Sequence, residues 1–323
     1  MVNTNTPWVE SPFFEELLLS KDLTEEQMKL AREYHENGFV VISGMLPQSL
    51  IDRVKDDAEK KAFDPNYPLT TQRDSIRVQD FWLASEAARE LACYPGVLDT
   101  LALLYGRPAI PFQTLNFSKG SQQRAHSDTI HFSSLPAKFM CGVWVALEDI
   151  TEENGPVFYY PGSQRLDEYD FTDIRRTSDT PSYENYPEYE DFIEKIIKAN
   201  KLKQKKFLAK KGDLLIWSSN IIHGGSPVTK EGATRWSQVN HYFFEDCYYY
   251  TPMLSNMVTN ELYLRNRLVN IKTGKTVESS YNGEKLNLIK TRGQLFILSD
   301  IKVSTFLLGK IKKLFNKSFS TNL

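Results

Sequence analysis

The sequence has 323 residues, which is enough to bury one sizeable core or two modest ones. It carries 39 Lys+Arg and 41 Asp+Glu, a formal net charge of −2, so no large basic field indicates a nucleic-acid partner. The three cysteines, Cys93, Cys141 and Cys247, form no CxxC pair, which argues against a zinc knuckle or a disulfide framework and favours a reducing compartment.

The N-terminal region, residues 1–109, is predicted to hold helices and a strand that pack on a larger core. Its first residues lack the basic start and the small-residue cleavage site of a signal peptide. No run of the chain approaches the roughly 20 apolar residues of a membrane helix, so we expect a cytoplasmic protein. The first predicted helix begins after Thr24 as N-cap and stops at Asn37-Gly38. The predicted helices are 24–36, 47–62 and 86–105, and a strand is predicted at 39–45.

Residues 110–245 show a different pattern, in which short strand-like runs alternate with turn residues. The eight runs are IPFQTLNF, AHSDTIHF, KFMCGVWVALEDI, GPVFYYPGS, KKFLAK, DLLIWSSN, IIHGG and TRWSQVNHYFF. Strands at this density favour an antiparallel sandwich or barrel of the jelly-roll kind. We therefore predict a mainly β fold with flanking helices and a catalytic jelly-roll core at 110–245.

The run AHSDTIHF contains the first candidate residues for chemistry. In a strand, residues i and i+2 point to one face, so His126 and Asp128 would project together and could chelate one metal ion. His223 follows the apolar strand GDLLIWSS, and Gly224 and Gly225 leave room beside it. Two histidines and a carboxylate on one face of a metal are typical of non-haem Fe(II) oxygenases, which keep other positions open for a co-substrate and dioxygen. The alternative is a strand histidine hydrogen-bonded to a neighbouring carboxylate.

Residues on the strand after His223 are candidates for binding a cofactor. Alternation places Arg235, Ser237 and His241 on one face, and an Arg fork with a hydroxyl two residues on fits the distal carboxylate of a dicarboxylic acid. A surface salt bridge is the alternative for Arg235. For His241, a hydrogen-bonded core histidine is favoured over a residue that borders the pocket.

Three other residues are predicted to line the same pocket. Trp144 shares a strand face with Gly142 and Ala146, where a cofactor would have room beside the indole ring, although plain core packing explains it equally well. Gln113 and Asn116 lie on the first core strand and are predicted to form a pocket wall. His131 lies three residues after Asp128, so on a strand it would point away from the site and be structural.

Two further segments flank these strands. The insert at 165–204 is too long for a tight turn, is predicted to be helical in its second half, and is a candidate lid that carries Tyr183, Tyr186, Tyr189 and Phe192. The C-terminal extension, 246–323, ends in the basic stretch GKIKKLFNKSF. A tail helix docked on the body is favoured there, and contact with an anionic membrane surface is the alternative.

The motifs resemble those of the phytanoyl-CoA dioxygenase family. The resemblance is carried by HSD, by GVWVALEDITEENGPVFYYPGSQR, by KKGDLLIWSSNIIHGGSP followed by Arg235, and by the N-terminal HENGFVVISGMLPQSLIDRVK. It covers roughly residues 24–245 and implies a double-stranded β-helix (jelly-roll, cupin-like) core that uses Fe(II), 2-oxoglutarate and O2. The metal ligands it implies are His126, Asp128 and His223. It further implies that Arg235 clamps the far carboxylate of 2-oxoglutarate, with Ser237 and Trp144 on the cofactor side.

The activity that the resemblance implies is hydroxylation of an unactivated C–H bond of a small metabolite, with release of succinate and CO2. Some members of the wider superfamily replace the carboxylate ligand by Gly or Ala and halogenate, whereas Asp128 occupies that position here. Two departures, Gln164 where the family has a PGSH histidine and the long insert, lie where substrate would be covered and leave its identity open. The alternatives are a degenerate jelly-roll binding or sensing protein and a metal-dependent isomerase or hydrolase on the same fold.

Overall fold

The protein was analysed as a computed structural model, which describes residues 5–69, 71, 74, 76–176, 183–259, 261–285, 288–290 and 295–298. Its α-helices are α1 (Phe14–Leu19), α2 (Glu25–Asn37), α3 (Gln48–Asp57), α4 (Glu86–Ala92), α5 (Pro95–Tyr105) and α6 (Tyr186–Ala199). Short 3-10 helices lie at Trp8–Glu10, Phe81–Leu83, Asp128–Ile130, Ser163–Arg165, Tyr183–Asn185 and Pro252–Leu254, and a π-helical turn, Ala58–Ala62, extends α3.

The strands of the described residues form antiparallel sheets. They are β1 (Phe39–Ile42), β2 (Arg77–Gln79), β3 (Ala109–Phe117), β4 (Ser133–Leu135), β5 (Met140–Ala146), β6 (Val157–Tyr159), β7 (Lys205–Lys206), β8 (Leu214–Ser218), β9 (His223–Gly225), β10 (Ser237–Phe244), β11 (Tyr248–Tyr250), β12 (Glu261–Tyr263), β13 (Val269–Asn270), β14 (Lys275–Thr276), β15 (Leu288–Lys290) and β16 (Leu295–Leu298). The major sheet has the order β1-β8-β5-β10-β3-β2, and the minor sheet has the order β7-β6-β9. The predicted jelly-roll fold is confirmed, and β1 and β2 from the N-terminal region complete the edges of its major sheet.

The two faces of the major sheet bury different side chains. Because side chains alternate along a strand, Val143 and Val145 of β5 pack with the N-terminal helices, whereas Trp144 and Ala146 belong to the cluster between the sheets. The inner cluster borders a cavity of about 1220 Å³. The N-terminal helices therefore cover the outer face and leave the inner face to form a site.

The N-terminal helix signals largely match the observed elements. Thr24 caps α2 in a capping box with Gln27, and Gly38 ends the helix in the left-handed conformation with φ 78°. The single helix predicted at 86–105 is wrong: α4 ends at Ala92 and α5 begins at Pro95. Proline lacks a backbone N–H and constrains its predecessor, so the helix is interrupted there and restarts with Pro95 in its first turn.

The run AHSDTIHF does not form the predicted strand. His126 makes one isolated bridge, Ser127 is extended with φ −111° and ψ 142°, and Asp128 begins a 3-10 helix. The Ser127 side chain caps that helix by accepting a hydrogen bond from the backbone N–H of Thr129. The alternation of side chains that was expected from a whole strand therefore comes from one residue, the extended Ser127.

Two predictions about the flanking segments have different outcomes. The second half of the insert is helical as predicted, because α6 occupies Tyr186–Ala199. The basic C-terminal stretch GKIKKLFNKSF lies outside the described residues, so its docking or membrane contact stays a prediction. In the part of the chain that the structure describes, no helix combines the length and apolar character needed to cross a membrane. The division at 109 and 245 also stays a prediction.

Candidate metal centre

A backbone bridge brings the two histidines of the centre together. The N–H of His126 donates to the carbonyl oxygen of His223 at 3.0 Å, and the N–H of His223 donates to that of His126 at 2.9 Å. The imidazole rings consequently lie side by side, with centroids 4.5 Å apart. Gly224 is required next to them, since a Cβ there would lie 2.7 Å from the carbonyl oxygen of Gln123.

Asp128 completes a cluster of three ligand atoms. Its Oδ1 lies 4.0 Å from Nε2 of His126 and 3.9 Å from Nε2 of His223. Ligand atoms of all three residues lie within 4.8 Å of one another, and all three side chains are buried. The structure thus brings together the three residues predicted as metal ligands, while their role as ligands stays a prediction.

The protein holds both imidazoles in the tautomer that binds a metal through Nε2. Nδ1 of His126 lies 2.8 Å from the carbonyl oxygen of Arg124, and Nδ1 of His223 lies 3.0 Å from that of Ile221. A carbonyl oxygen can only accept, so each Nδ1 carries a proton, and in the neutral form of either ring the lone pair lies on Nε2. Burial, together with His223, lowers the pKa of His126 to about 3, which keeps that ring neutral at physiological pH.

The Asp128 carboxylate is held by neighbouring histidines and by Trp217, which the sequence interpretation missed. Burial alone would raise its pKa, but His223, His241, His126 and the indole N–H of Trp217 lower it to about 2. Trp217 Nε1 donates to Asp128 Oδ2 at 2.8 Å, which orients the carboxylate. Gly142, opposite Trp217 in the β5–β8 pairing, makes room for the indole, because a Cβ there would lie 2.4 Å from the ring. Asp128 is therefore an oriented anion.

Two glutamines support the centre from neighbouring segments. The side chain of Gln123 lies 3.2 Å from Nε2 of His126, where its amide donates to the imidazole lone pair. Gln113 lines the cavity as predicted, and its Oε1 accepts from Nδ1 of His241 at 2.9 Å. That bond directs Nε2 of His241 toward Asp128 Oδ2, 3.9 Å away. His241 is consequently both a hydrogen-bonded core residue and a wall of the cavity.

Arg235 lies in the same cavity with its charge uncompensated. Its backbone N–H donates to the carbonyl oxygen of Ser118, and its side chain is only 2% exposed. It lies two residues before β10 rather than on the strand where it was predicted. No carboxylate of the described residues forms an ion pair with it, and one long contact of 3.5 Å joins Nη2 to the Lys119 carbonyl. Burial lowers the pKa of this guanidinium to about 10.

Polar atoms without partners cluster around Arg235. Among the described residues, Arg235 Nε, Trp144 Nε1 and Ser237 Oγ are buried and have no hydrogen-bond partner. Ser237 pairs with Ala146 across β10 and β5, and Val239 pairs with Trp144, so these side chains share the inner face. Buried polar groups are rarely left unsatisfied, and an unpaired buried charge is costlier still. The arrangement fits a ligand that carries a carboxylate.

Asn116 does not belong to this pocket. It alternates with Leu115 and Phe117, which line the cavity, and its amide instead donates to Gln238 Oε1 at 3.0 Å on the opposite face of the sheet. Gln238 in turn donates to the carbonyl oxygen of Ala88 in α4. The predicted role of Asn116 in cofactor binding is corrected, because the period of two along β3 places it on the helix-covered side.

His131 and Gln164 also lie elsewhere than expected. The 3-10 turn that follows Asp128 redirects His131, so it lines the cavity and its Nε2 lies 3.2 Å from the hydroxyl of Tyr186. Gln164 was expected near the substrate cover. Instead it packs at the end of α2, where its amide donates to the carbonyl oxygen of His35.

The family model for phytanoyl-CoA dioxygenase (PhyH) matches residues 34–235, a segment that contains the three clustered residues and ends at Arg235. The chain belongs to the phytanoyl-CoA dioxygenase family. The C-terminal extension lies beyond this match.

Curated relatives include phytanoyl-CoA dioxygenases, and solved structures share the fold. A probable phytanoyl-CoA dioxygenase of Caenorhabditis elegans is 28% identical over 45% of this chain and 56% of its own length. The peroxisomal phytanoyl-CoA dioxygenase of Homo sapiens is 25% identical over 73% of each chain. The epimerase SnoN of nogalamycin biosynthesis, described as non-heme and alpha ketoglutarate dependent, superposes with a TM-score of 0.56 at 18% identity, covering 84% of this chain and 98% of SnoN.

A second solved structure shares the fold of this family member. EctD from S. alaskensis, crystallised with 2-oxoglutarate and 5-hydroxyectoine, gives a TM-score of 0.54 at 18% identity, covering 74% of this chain and 80% of EctD. At this identity the likeness establishes the jelly-roll fold alone.

Proposed function

We propose that this phytanoyl-CoA dioxygenase family member is an Fe(II)- and 2-oxoglutarate-dependent dioxygenase. It hydroxylates an unactivated C–H bond of a small-molecule metabolite and releases succinate and CO2. Support comes from the family membership, from the clustered His126, Asp128 and His223, and from the buried, unpaired Arg235. The cytoplasmic location expected from the sequence is part of this proposal.

The donor set of the cluster fits Fe(II). Two imidazoles whose Nδ1 atoms donate to backbone carbonyl oxygens and one oriented carboxylate form the two-His, one-carboxylate set that such oxygenases use. His126 and His223 share a bridge, Asp128 lies two residues after His126, and all three line the cavity, so together they would hold the metal at its wall.

The surroundings of Arg235 fit the distal carboxylate of 2-oxoglutarate. A guanidinium offers a planar fork of donors that matches a carboxylate, and a low-polarity environment strengthens the pairing. Phe117 and Trp144 supply that environment, with ring centroids 5.3 and 5.6 Å from Arg235 Cζ. Trp144 lines the cavity and its unpaired Nε1 offers a further hydrogen bond, and the buried Ser237 Oγ on the same face of the sheet is also unpaired. A dicarboxylic keto acid would neutralise the charge that the protein leaves unpaired.

The chemical roles of the residues follow from these contacts. When bound, iron with 2-oxoglutarate and dioxygen supplies the oxidising chemistry. His126, Asp128 and His223 would hold the metal, and Trp217 keeps the Asp128 carboxylate oriented. Arg235 would anchor the keto acid and so select a dicarboxylic molecule.

The observation that carries the proposal is the unpaired Arg235 in the same cavity as the three-residue cluster. The experiment is an anaerobic titration of the protein with Fe(II) and 2-oxoglutarate, followed by visible absorption. A metal-to-ligand charge-transfer band is expected when the keto acid chelates the iron. A wild-type protein that binds Fe(II) but forms no such band with 2-oxoglutarate would refute the proposal.

A panel of candidate substrates then tests the reaction itself. Succinate release that depends on a panel member, together with a product one oxygen atom heavier, is the expected result. Substrate-dependent succinate release with an epimerised or ring-closed product would retain the oxygenase class and overturn hydroxylation.

A further inference from the structure

A second arginine enters the cavity from the C-terminal extension. The backbone N–H of Arg265 donates to the carbonyl oxygen of Tyr249, and the neighbouring Leu264 bridges Tyr250, so this part of the extension is tied to β11. Its side chain lines the same cavity as His126, Asp128 and His223. Because the family model matches only residues 34–235, Arg265 belongs to a part of the chain that the family comparison does not describe.

The Arg265 guanidinium has few partners in the protein. Nη1 donates to Thr251 Oγ1 at 3.0 Å, and Nε is buried without a hydrogen-bond partner among the described residues. In the same described part of the chain, no carboxylate lies within ion-pair distance, although Asp80 is near enough to influence it electrostatically. A guanidinium carries five N–H donors, so most of its binding capacity is free for a ligand.

Aromatic rings separate Arg265 from the cluster of His126, Asp128 and His223. Arg265 Cζ lies 4.8 Å from the centroid of the Phe132 ring and 5.6 Å from that of Phe112. The Phe132 ring lies 5.0 Å from the imidazole of His241, whose Nε2 is 3.9 Å from Asp128. Arg265 and the cluster thus lie at two ends of one apolar wall.

Arg235 and Arg265 differ in burial, which separates their roles. Arg235 is 2% exposed and lies deep between Phe117 and Trp144, whereas Arg265 is only partly buried and is followed by the exposed Arg267. One keto acid can occupy one of the two guanidinium sites. The deeper site is assigned above to the co-substrate, and the outer site is left for a second molecule.

We propose that Arg265 binds a carboxylate of the primary substrate, whose apolar segment lies along Phe112 and Phe132 and presents a C–H bond to the metal centre. The proposal rests on the oxygenase function proposed above and adds a substrate class, namely a carboxylic acid with an apolar body. The arginine fork supplies recognition of the planar anion, and the rings contact the hydrocarbon.

The test measures binding rather than turnover. The probes are 3-phenylpropionate and octanoate, with their neutral amides as matched ligands, added anaerobically to the protein saturated with Fe(II) and 2-oxoglutarate. Binding is followed by calorimetry and by the change in the charge-transfer band. At least one acid should bind the wild type more tightly than its amide, and R265Q should weaken the binding of that acid roughly 10- to 100-fold. The variant R267Q, at an exposed arginine of the same cavity, should keep the acid affinity within about twofold.

The outcomes separate this inference from the function on which it rests. No charge-transfer band in the wild type refutes the oxygenase function. A normal band with equal affinities of R265Q and wild type for the acids, or with no preference of the wild type for acids over amides, overturns the role of Arg265. A 2-oxoglutarate affinity that falls in R265Q as far as the acid affinity also overturns it, because Arg265 would then bind the co-substrate. Circular dichroism of R265Q and R267Q verifies the fold.

Discussion

His126 and His223 are joined by two backbone hydrogen bonds, of 3.0 and 2.9 Å, although 97 residues separate them in the sequence. Each also donates its Nδ1–H to a carbonyl oxygen two residues earlier in the chain, at Arg124 and Ile221. The backbone therefore sets both the distance between the two rings and their tautomers. On the proposed ligand assignment, a metal ion would meet side chains that need little reorganisation.

The first prediction concerns the carboxylate. Asp128→Ala should abolish turnover and weaken Fe(II) binding while the fold survives, because the two histidines alone leave the set incomplete. Anaerobic Fe(II) titration with circular dichroism measures both effects. The control is His131→Asn, at a histidine that lines the cavity but lies outside the cluster, and it should retain the iron. Near wild-type hydroxylation by the Asp128→Ala protein would show that the ligand assignment is wrong.

The second prediction concerns the co-substrate. Arg235→Ala should weaken 2-oxoglutarate binding roughly 30- to several-thousand-fold, which corresponds to about 2–5 kcal/mol for a lost charge-assisted contact. Arg235→Lys keeps the charge but loses the planar fork, so its affinity for 2-oxoglutarate should lie between those of the wild type and Arg235→Ala. The charge-transfer titration measures all three proteins. Superimposable curves for Arg235→Ala and wild type would remove Arg235 from the co-substrate site.

The third prediction concerns the indole that orients Asp128. Trp217→Phe retains an aromatic ring but removes the donor that lies 2.8 Å from Asp128 Oδ2. Since the partners of a metal ligand tune its affinity, Fe(II) binding should weaken by roughly 10- to 100-fold. Equilibrium dialysis against a metal buffer measures this effect. An unchanged iron affinity would mean that the carboxylate is held sufficiently by its other neighbours.

The fourth prediction concerns the close packing of Gly142 on Trp217. Gly142→Ala should destabilise the protein by about 1–3 kcal/mol, because the added methyl would lie 2.4 Å from the indole. Denaturant unfolding measures the loss. In the double variant with Trp217→Phe the loss should be smaller than the sum of the two single effects, since the smaller ring relieves the overlap. If the two losses of stability were strictly additive, the strain in Gly142→Ala would not come from contact with the Trp217 ring.

The fifth prediction concerns the insert. Tyr183 and Tyr186 line the cavity, and α6 is held by Arg124, which forms ion pairs with Glu190, Asp191 and Glu194. We expect the insert to act as a lid that is mobile without substrate and ordered with it, while α6 stays anchored. Limited proteolysis with and without substrate plus 2-oxoglutarate tests this. Equal cleavage within 170–200 in both states would contradict the lid.

A shortened insert provides an independent test of the same idea. On the lid interpretation, the shortened protein should bind 2-oxoglutarate normally but uncouple succinate formation from product formation, because the substrate is no longer covered. Quantifying succinate and product in one reaction measures the coupling. Equal amounts of succinate and product would indicate that the insert is a fixed surface segment and not a lid.

Local sequence signals determined much of the fold. Thr24 and Gly38 bound α2 because capping and the left-handed conformation are chemistry of single residues. The density of strands and turn residues predicted the jelly-roll fold. The motifs around His126, Asp128 and His223 predicted the three-residue cluster. These features depend on neighbours in the chain, which a sequence displays directly.

Contacts between distant segments were decided only by the tertiary structure. The pattern of AHSDTIHF predicted a strand, but the capping Ser127 starts a 3-10 turn that carries His131 into the cavity. Trp217 reaches Asp128 because Gly142, on the neighbouring strand, leaves the space. Arg265 enters from an extension that showed no motif. Such contacts depend on strand register and on three-dimensional packing, so they cannot be predicted from the periodicity or spacing of residues in the sequence.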